Sequence, residues 1–383
     1  MRLLYAFPEP LPLPRARSVQ VAQAVVGLAS AGFTVELAYV PVPDREPLES
    51  ASLQAPEGLS FLPISRSCPW PLGAFRPFSR WHSVRFFAFR VLREIRLRQP
   101  SVIYVRHLKL AAQLLDRKNL PPLIYEAHEV FADTVATNKR ANTEATERMV
   151  VRRAAGVVCN SRATSERLVA LYGPIRRLLV LPNGVTPPDS LPEKPWMESQ
   201  RHVVYAGSFF GWKGISDVLM AAQALDGYHI TLIGGTEQQI QTLSASRPTT
   251  GATLEFLPRL PHPQVMEHLS RSCIALLPNR PEPDSHFTSP IKLFEYMAAG
   301  CAIVAADLPP IREILDSDEA AWFTAGKPDA LANALRSLGD APERARVMGA
   351  RLREKSWDYT WQSRARKLGD FLSTFGPEDS RDQ

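Results

Sequence analysis

Short apolar runs alternate with helical patterns along almost the whole 383-residue chain. The runs RLLYAF (2–7) and TVELAYV (34–40), for example, flank a helical stretch. This alternation is typical of a parallel sheet covered by helices on both faces. The pattern breaks at TPPDSLPEKPWMESQ (186–200), which has four prolines and no periodicity, and resumes with HVVYAGS (202–208). The chain is also too long for one ordinary core, so the sequence predicts two doubly wound α/β domains joined by a linker.

The composition is that of a soluble globular protein, with 45% hydrophobic and 22% charged residues. No apolar run approaches the roughly 18 residues that a membrane span needs. The first residues, MRLLYAFPEPLPLP, contain an early arginine and several prolines, so they predict a first strand and no signal peptide. The cysteines are widely spaced and predict a reducing, cytoplasmic location without a zinc site. They are Cys68, Cys159, Cys273 and Cys301.

Positive charge is concentrated in the first half of the chain. Residues 1–200 contain 26 Lys/Arg and 17 Asp/Glu, whereas the remainder contains 19 and 22. The densest stretch, Arg76 to Arg98, has seven arginines with Trp81, Phe86, Phe87 and Phe89 interleaved. On a helical projection Trp81, Phe86, Phe89 and Leu92 are expected to share a broad face, with Arg85 and Arg93 nearby. This stretch fits an ordinary amphipathic helix, or a helix that binds an anionic membrane surface peripherally. No nucleic-acid-binding motif surrounds the arginines, so no nucleic-acid partner is predicted.

Two loops at predicted strand ends could bind phosphate. In VVYAGSFFGWKG (203–214), a strand ends at Gly207 and Ser208, and Lys213 precedes a helix. Glycine lets a ligand approach the backbone, and a helix start offers free N–H groups to an anion. The alternative is an ordinary strand-to-helix turn with a solvated lysine.

The second loop is NRPEPDSHFTSPIK (279–292). Pro290 suits the first turn of a helix. Ser289 can cap that helix, and the amides of Ile291 and Lys292 are predicted to face a phosphate. One turn later Glu295 stands among apolar residues, where a buried carboxylate needs partners. A ribose diol would supply them, whereas a helix-dipole or surface role is the alternative.

Four segments together resemble the family 4 glycosyltransferases, also called glycosyl transferases group 1. They are VVYAGSFFGWKG, TLIGG, LPNGV and SPIKLFEYMAAGCAIVAADLPPIREIL. The resemblance implies the GT-B fold, in which two Rossmann-like doubly wound domains face a central cleft. It also implies a retaining glycosyltransferase that needs no metal or other cofactor. Such an enzyme moves a sugar from a nucleotide-sugar donor to a glycan or lipid-linked acceptor, here expected in bacterial cell-surface polysaccharide synthesis.

The resemblance assigns a role to each domain. Residues 1–185, with a returning C-terminal helix at about 360–375, are predicted to form the acceptor domain. Residues 186–200 are the predicted linker, and residues 201–358 the predicted nucleotide-sugar domain.

The resemblance also implies a set of donor-binding residues. Gly207 would lie against the diphosphate, with Ser208 where the family often has an arginine, and Lys213 would neutralise the charge. Arg259 would stand near the nucleobase, and Glu295, as the second glutamate of the E-x7-E signature, would bind the ribose. The helix N-terminus would be supplied by Ser289, Pro290, Ile291 and Lys292.

At two further places the sequence departs from the family pattern. Phe287 replaces the first glutamate of the signature, and Asp284 or His286 is expected to contact the sugar instead. The glycine pair usual in the first strand-to-helix loop is missing. The polar residues available there are Arg15, Arg17 and Ser18, and Ser18 is also a possible helix cap.

His128 ends the apolar strand in PLIYEAHEVF, between Glu126 and Glu129. A histidine in this position is most often structural. In the family it contacts the transferred sugar, so His128 and Lys213 are the predicted catalytic residues, with Glu129 as a weaker candidate. Asn160 and the turn pair Asn183-Gly184 line other strand ends.

The sequence lacks the motifs of two other nucleotide-binding classes. A dehydrogenase would need G-x-G-x-x-G after a strand, and neither this motif nor a P-loop occurs. A nucleotide-sugar epimerase of similar fold and a non-catalytic nucleotide-sugar-binding protein remain the alternatives.

Overall fold

The computed structural model describes residues 1–13, 16–66, 83–194, 196–197, 200–282 and 291–376. The chain forms two compact units. The first contains Met1–Pro182 and the segment from Trp361 onward, and the second contains Asn183–Thr360.

The first unit is built on a parallel sheet of seven described strands in the order β3-β2-β1-β4-β5-β6-β7. The strands are β1 (Arg2–Leu11), β2 (Thr34–Pro41), β3 (Leu59–Pro63), β4 (Val102–Val105), β5 (Leu123–Ala127), β6 (Gly156–Cys159) and β7 (Leu178–Val180). Central strands such as β4 and β5 are buried at every residue. They read as continuous apolar runs because helices cover both faces of the sheet.

The helices of the first unit follow the strands in alternation. They are α1 (Ala16–Ser30), α2 (Ser83–Arg98), α3 (Leu108–Leu115), α4 (Phe131–Thr134), α5 (Thr137–Arg153), α6 (Arg162–Tyr172) and, from the end of the chain, α14 (Trp361–Ser373). The strand order reverses direction between β1 and β4. In open α/β sheets, such a switch point opens a crevice at the carboxyl ends of the strands, where ligands bind.

The second unit has a parallel sheet of six described strands in the order β10-β9-β8-β11-β12-β13. The strands are β8 (His202–Ala206), β9 (His229–Gly235), β10 (Thr253–Pro258), β11 (Ile274–Leu277), β12 (Ala302–Ala306) and β13 (Ala321–Phe323). The helices are α7 (Ile215–Ala222), α8 (Glu237–Ala245), α9 (His262–Arg271), α10 (Ile291–Ala298), α11 (Pro309–Arg312), α12 (Pro328–Gly339) and α13 (Pro342–Ser356). Here the switch point lies between β8 and β11. The predicted fold class, two Rossmann-like doubly wound domains, is confirmed.

The proline-rich segment 186–200 packs against the second unit in its described part. Lys194 is buried, and its ammonium donates to the carbonyl oxygens of Leu269, at 2.8 Å, and of Ser272. Trp196 packs against the core of the same unit. Prolines broke the periodicity of this segment, but buried side chains still hold it in place.

The last helix, α14, packs against α1 in the first unit. Leu368 and Leu372 are part of the core of that unit, together with Leu3 and Val25 of β1 and α1. A Cβ on Gly27 would lie 2.9 Å from the carbonyl oxygen of Trp361, so the two helices approach closely at this glycine.

Two local expectations about the first unit are wrong. Helix α1 begins at Ala16, so Ser18 lies inside the helix, buried, and does not cap it. In α2, Phe89 is 70% exposed whereas Leu92 is 9% exposed, so the two do not share one face. Helix α2 packs a different face against the core, which buries Phe87 and Val91 together with Leu92. Trp81 lies outside the described residues. No helix in the described part of the chain is long and apolar enough to cross a membrane.

Candidate active site

Two loops meet at the switch point of the second unit. The first follows β8 and contains Gly207 and Lys213, and the second follows β11 and leads towards α10. They are joined at the backbone, where the Arg280 N–H donates to the Trp212 carbonyl at 2.8 Å. Gly214, with φ of +72°, lies so close to the Pro278 carbonyl that a Cβ there would clash with it.

Gly207 and Lys292 are in direct contact. A Cβ added to Gly207 would overlap the Lys292 Nζ, so only glycine leaves room for the ammonium at this place. The Nζ also lies 4.0 Å from the centroid of the Tyr205 ring. The Tyr205 hydroxyl in turn donates to the Ser208 carbonyl at 2.9 Å and so fixes the loop above the lysine.

The Lys292 ammonium is buried and, within the described part of the chain, has no hydrogen-bond partner. Burial lowers the pKa of Lys292 well below its ordinary value, and the positive charge of Lys213 lowers this pKa further, whereas Glu295 opposes both. The Lys213 Nζ lies 3.4 Å from the centroid of the Trp212 ring. Two cations are therefore held near each other where a buried charge is costly, which is the arrangement that an anionic ligand stabilises.

Glu295 forms an ion pair that the sequence analysis did not anticipate. Its Oε1 atom lies 2.9 Å from Nε2 of His262, at the start of α9. This hydrogen bond raises the pKa of His262, and its effect is larger than that of burial, which lowers the pKa. One carboxylate oxygen of Glu295 is thus engaged by His262.

Arg280 clamps the two loops together. Its Nε and Nη2 atoms donate to the two carboxylate oxygens of Asp217, at 2.8 and 2.5 Å. Asp217 is buried in the first turn of α7, directly after Lys213 and Gly214. A bidentate arginine–carboxylate pair fixes orientation as well as distance, so Arg280 positions the turn that carries Lys213.

The first unit holds a second cluster of charged groups, at the end of β5. Glu126 is buried and accepts a hydrogen bond of 2.5 Å from Arg364 of α14. Burial alone would raise the pKa of Glu126, but His128 and Arg364 outweigh burial and lower it. Arg364 also donates to the Pro182 carbonyl at 3.0 Å. This buried carboxylate is fully compensated by its neighbours.

His128 lies beside that cluster. Its Nε2 is 3.1 Å from Glu126 Oε1, but the two groups are not oriented for a hydrogen bond, and this nitrogen has no hydrogen-bond partner among the described residues. The Asn160 side chain donates to the His128 carbonyl at 3.0 Å. Burial, followed by the charge of Arg106, lowers the pKa of His128 to about 4, so the imidazole is neutral at pH 7.

His128 lines a cavity of about 370 Å³ at the switch point of the first unit. The cavity also receives Arg17 and Glu129, so three residues that the sequence analysis singled out lie together. Arg17 pairs with Glu9 at 2.8 Å. Ser18, which is buried in α1, does not line this cavity.

The predicted donor-binding residues are only partly described. Gly207, Ser208, Lys213, Lys292 and Glu295 lie at the switch point of the second unit, with Ile291 as the first residue of α10. Arg259 follows β10 and is exposed. The other predicted residues lie outside the described part of the chain, namely Arg15, Asp284, His286, Phe287, Ser289 and Pro290.

Sequence reasoning missed three residues of these clusters: His262, Arg280 and Arg364. Each is a charged or titratable side chain next to an element boundary, which is a weak signal. Their partners are 33, 63 and 238 residues away, respectively. No local pattern could have paired them.

Comparison with protein families gives two matches along the chain. Residues 189–355 match Glycosyl transferases group 1, and residues 18–187 match Glycosyltransferase Family 4. The two matches together cover most of the chain. The chain therefore belongs to the group 1 glycosyltransferases and is an enzyme of glycosyl transfer. No match is found among curated proteins.

Solved structures show the same architecture. Sucrose-phosphate synthase from Thermosynechococcus elongatus is 16% identical, with a TM-score of 0.73, and the match covers 98% of this chain and 99% of that one. HepE from Anabaena, solved with UDP, is 14% identical, with a TM-score of 0.70 and coverage of 98% and 100%. WaaG, a glycosyltransferase involved in lipopolysaccharide biosynthesis, is 14% identical, with a TM-score of 0.68 and coverage of 97% and 100%. At these identities the likeness establishes the GT-B fold.

Proposed function

We propose that this protein is a retaining glycosyltransferase that moves a sugar from a nucleotide-sugar donor to a glycan or lipid-linked acceptor. One observation carries the proposal: the Lys292 ammonium is buried beside Gly207 without a hydrogen-bond partner in the described residues. A diphosphate would supply the missing negative charge. Related structures support a nucleotide donor, since HepE was solved with UDP and with UDP-glucose.

The diphosphate would lie against the backbone at Gly207, between Lys292 and Lys213. The N-terminus of α10, which begins at Ile291, adds free N–H groups and the positive end of a helix dipole. Glu295 would accept hydrogen bonds from the ribose with the oxygen that His262 leaves free. His262 would hold this carboxylate in its orientation.

The chemical step breaks the bond between the anomeric carbon and the diphosphate oxygen, and the electron pair leaves with the diphosphate. The acceptor oxygen forms its bond to the same face of the sugar, and its proton passes to the leaving phosphate oxygen. Fixed positive charge from Lys213 and Lys292 would stabilise the charge that develops on the leaving group. Because two ammonium groups would supply this charge, we propose that the reaction needs no metal or other cofactor. Activity that survives EDTA would support this point.

His128 and Lys213 remain the proposed catalytic residues. A neutral imidazole, with its Nε2 unbonded among the described residues, can accept or donate one hydrogen bond to a sugar hydroxyl. We expect His128→Ala to lower kcat while leaving nucleoside-diphosphate affinity unchanged.

The proposed setting is cell-surface polysaccharide synthesis at the inner face of a bacterial membrane. WaaG, which shares the fold, is described as acting in lipopolysaccharide biosynthesis. On helix α2 the apolar side chains of Phe89 and Leu97 are 70% and 66% exposed, among the exposed arginines Arg93 and Arg96. Such a surface would bind anionic lipid headgroups through charge and the interface through its apolar groups.

The membrane proposal is tested by flotation with vesicles. The protein should float with anionic vesicles at low salt and remain behind at high salt or with neutral vesicles. The double variant Phe89→Ser, Leu97→Ser should lose this binding. A protein that stays in the soluble fraction with anionic vesicles at low salt contradicts the membrane proposal and leaves the donor site untouched.

The donor site is tested by calorimetry with a panel of nucleoside diphosphates and by incubation with labelled nucleotide sugars. Lys213→Ala should lower transfer by about 10²-fold, because an unpaired diphosphate charge in a site of low dielectric costs several kcal/mol. Glu295→Gln should weaken donor binding by roughly 1.5–3 kcal/mol. Binding without turnover would favour the non-catalytic alternative, a free epimer the epimerase, and no binding at all would overturn the proposal.

A further inference from the structure

The cavity of the first unit has a strongly positive lining. It lies at the switch point between β1 and β4, where the sheet topology opens a crevice. Four cations line it, Arg17, Arg106, Lys109 and Lys139, against the two carboxylates of Glu9 and Glu129. A cavity for a neutral glycan would need no such excess of positive charge.

The cations come from separate elements and converge on one space. Arg106 follows β4 and donates to the Gln20 side chain at 3.0 Å, which holds it at the cavity wall. Lys109 lies in the first turn of α3, and Lys139 in the first turn of α5. Within the described residues, the ammonium groups of these two lysines neither donate a hydrogen bond to a carboxylate nor form an ion pair with one. Their charges are therefore available to a ligand.

The other residues that line the cavity indicate which chemical groups the ligand carries. Glu9 is already engaged by Arg17, so Glu129 is the one carboxylate left to oppose the lysines. His107 and His128 are neutral at pH 7, because burial lowers the pKa of each to about 4. Phe131 and Val135 add an apolar wall.

We propose that this cavity binds the acceptor through a phosphate or diphosphate group held by Arg106, Lys109 and Lys139. The proposal rests on the proposed function, since it names the acceptor class of the same enzyme. The group belongs either to a soluble phosphorylated sugar or to a lipid diphosphate headgroup. The apolar wall would contact the sugar face or the first part of the lipid chain next to the phosphate.

The test uses the full-length protein with its donor site saturated with a nucleoside diphosphate. Inorganic pyrophosphate is then titrated, and its binding is followed by the broadening of its phosphorus NMR line. The wild-type protein should bind pyrophosphate at this second site, and the double variant Lys109→Gln, Lys139→Gln should bind it about tenfold more weakly or worse. Lys367→Gln removes an equally exposed lysine of the same unit outside the cavity, and it should bind within about twofold of the wild type.

A second arm identifies the source of the phosphate. Micelles that contain polyprenyl diphosphate are compared with micelles that contain polyprenol for their ability to retain the protein. Retention by the diphosphate alone, reduced in the double variant, supports a lipid headgroup. Pyrophosphate binding without retention by either micelle supports a soluble phosphorylated acceptor.

Two results overturn the inference: no pyrophosphate binding once the donor site is saturated, or binding that the double variant leaves unchanged. Nucleoside-diphosphate binding is measured first in the same samples. If it is present and the second site is absent, only the inference fails. If it is absent, the proposed donor site itself fails.

Discussion

Each unit buries a charged side chain near the carboxyl ends of its strands. The two differ in whether a neighbouring group pairs with the charge. In the first unit Glu126 is matched by Arg364 and has His128 close by. In the second unit the Lys292 ammonium is buried as deeply but has no hydrogen-bond partner among the described residues. A buried charge costs free energy unless it is paired. The Glu126 cluster therefore stabilises the fold. The unpaired charge of Lys292, by contrast, is the one that we propose binds the diphosphate of the donor.

Breaking the Glu126–Arg364 pair should lower stability more than removing the Lys292 charge. Arg364→Met leaves Glu126 buried without its guanidinium, so the free energy of unfolding should fall by about 3–5 kcal/mol. Urea denaturation measures this. Arg366→Met, at an exposed position of the same helix, is the matched control and should change stability little. Equal stability of both variants would mean that the pair does not hold α14 to β5.

The uncompensated lysine should behave in the opposite way. Lys292→Met removes a buried charge and keeps the volume, so stability should remain or rise, while nucleoside-diphosphate affinity should fall by about 10²-fold. Calorimetry and thermal unfolding on the same sample give both values. Arg247→Met, an exposed cation of the same unit, is the control. A large loss of stability would show that Lys292 is structural and would remove the contrast between the units.

The low pKa of Lys292 predicts proton uptake when the donor diphosphate binds. The free ammonium has a pKa well below its ordinary value, and a diphosphate beside it should raise this pKa. Between the two values binding takes up a proton, so affinity should fall with rising pH by up to about tenfold per pH unit. Calorimetry at pH 8.5 in buffers of different ionisation enthalpy counts the protons. The Lys292→Met variant should show no uptake, and an unchanged proton count in it would contradict the assignment.

The arginine clamp should have a smaller effect. Arg280→Lys keeps the charge but loses the fork that binds both oxygens of Asp217. We expect a loss of about 1 kcal/mol in stability and of several-fold in nucleoside-diphosphate affinity, because the turn that carries Lys213 loosens. Arg271→Lys changes an exposed ion pair with Glu267 and serves as the control. Unaltered affinity in Arg280→Lys would restrict the clamp to a structural role.

The smallest effect should come from His262. Its pKa is raised by Glu295, so its contribution to stability is complete below the unfolded value of about 6.5 and is lost as the pH rises through the folded value. His262→Gln should therefore cost up to about 1 kcal/mol at pH 6 and nothing at pH 9. Urea denaturation at the two pH values measures this, with His268→Gln of the same helix as the control. A difference that grows with pH would reverse the sign and refute the pairing.

The fold and the enzyme class were predictable because their signals are local. Apolar runs of strand length alternate with helical patterns, and this period depends only on neighbouring residues. The segments around Gly207 and Glu295 carry a recognisable family pattern that the family matches confirm. The helix start at Ala16 was not predicted. A serine such as Ser18 can cap a helix or lie inside one, and the sequence alone does not distinguish the two positions.

The amino-acid sequence by itself determined two doubly wound domains and glycosyl transfer, since both depend on short segments read along the chain. Tertiary structure alone decided which charges are paired. Glu126 meets Arg364 across 238 residues, and Glu295 meets His262 across 33. It also decided that Lys292 is buried against Gly207 and that four cations line one cavity of the first unit. Burial and the distance between charges set these interactions, and both arise only when distant strands are brought to the same edge of a sheet.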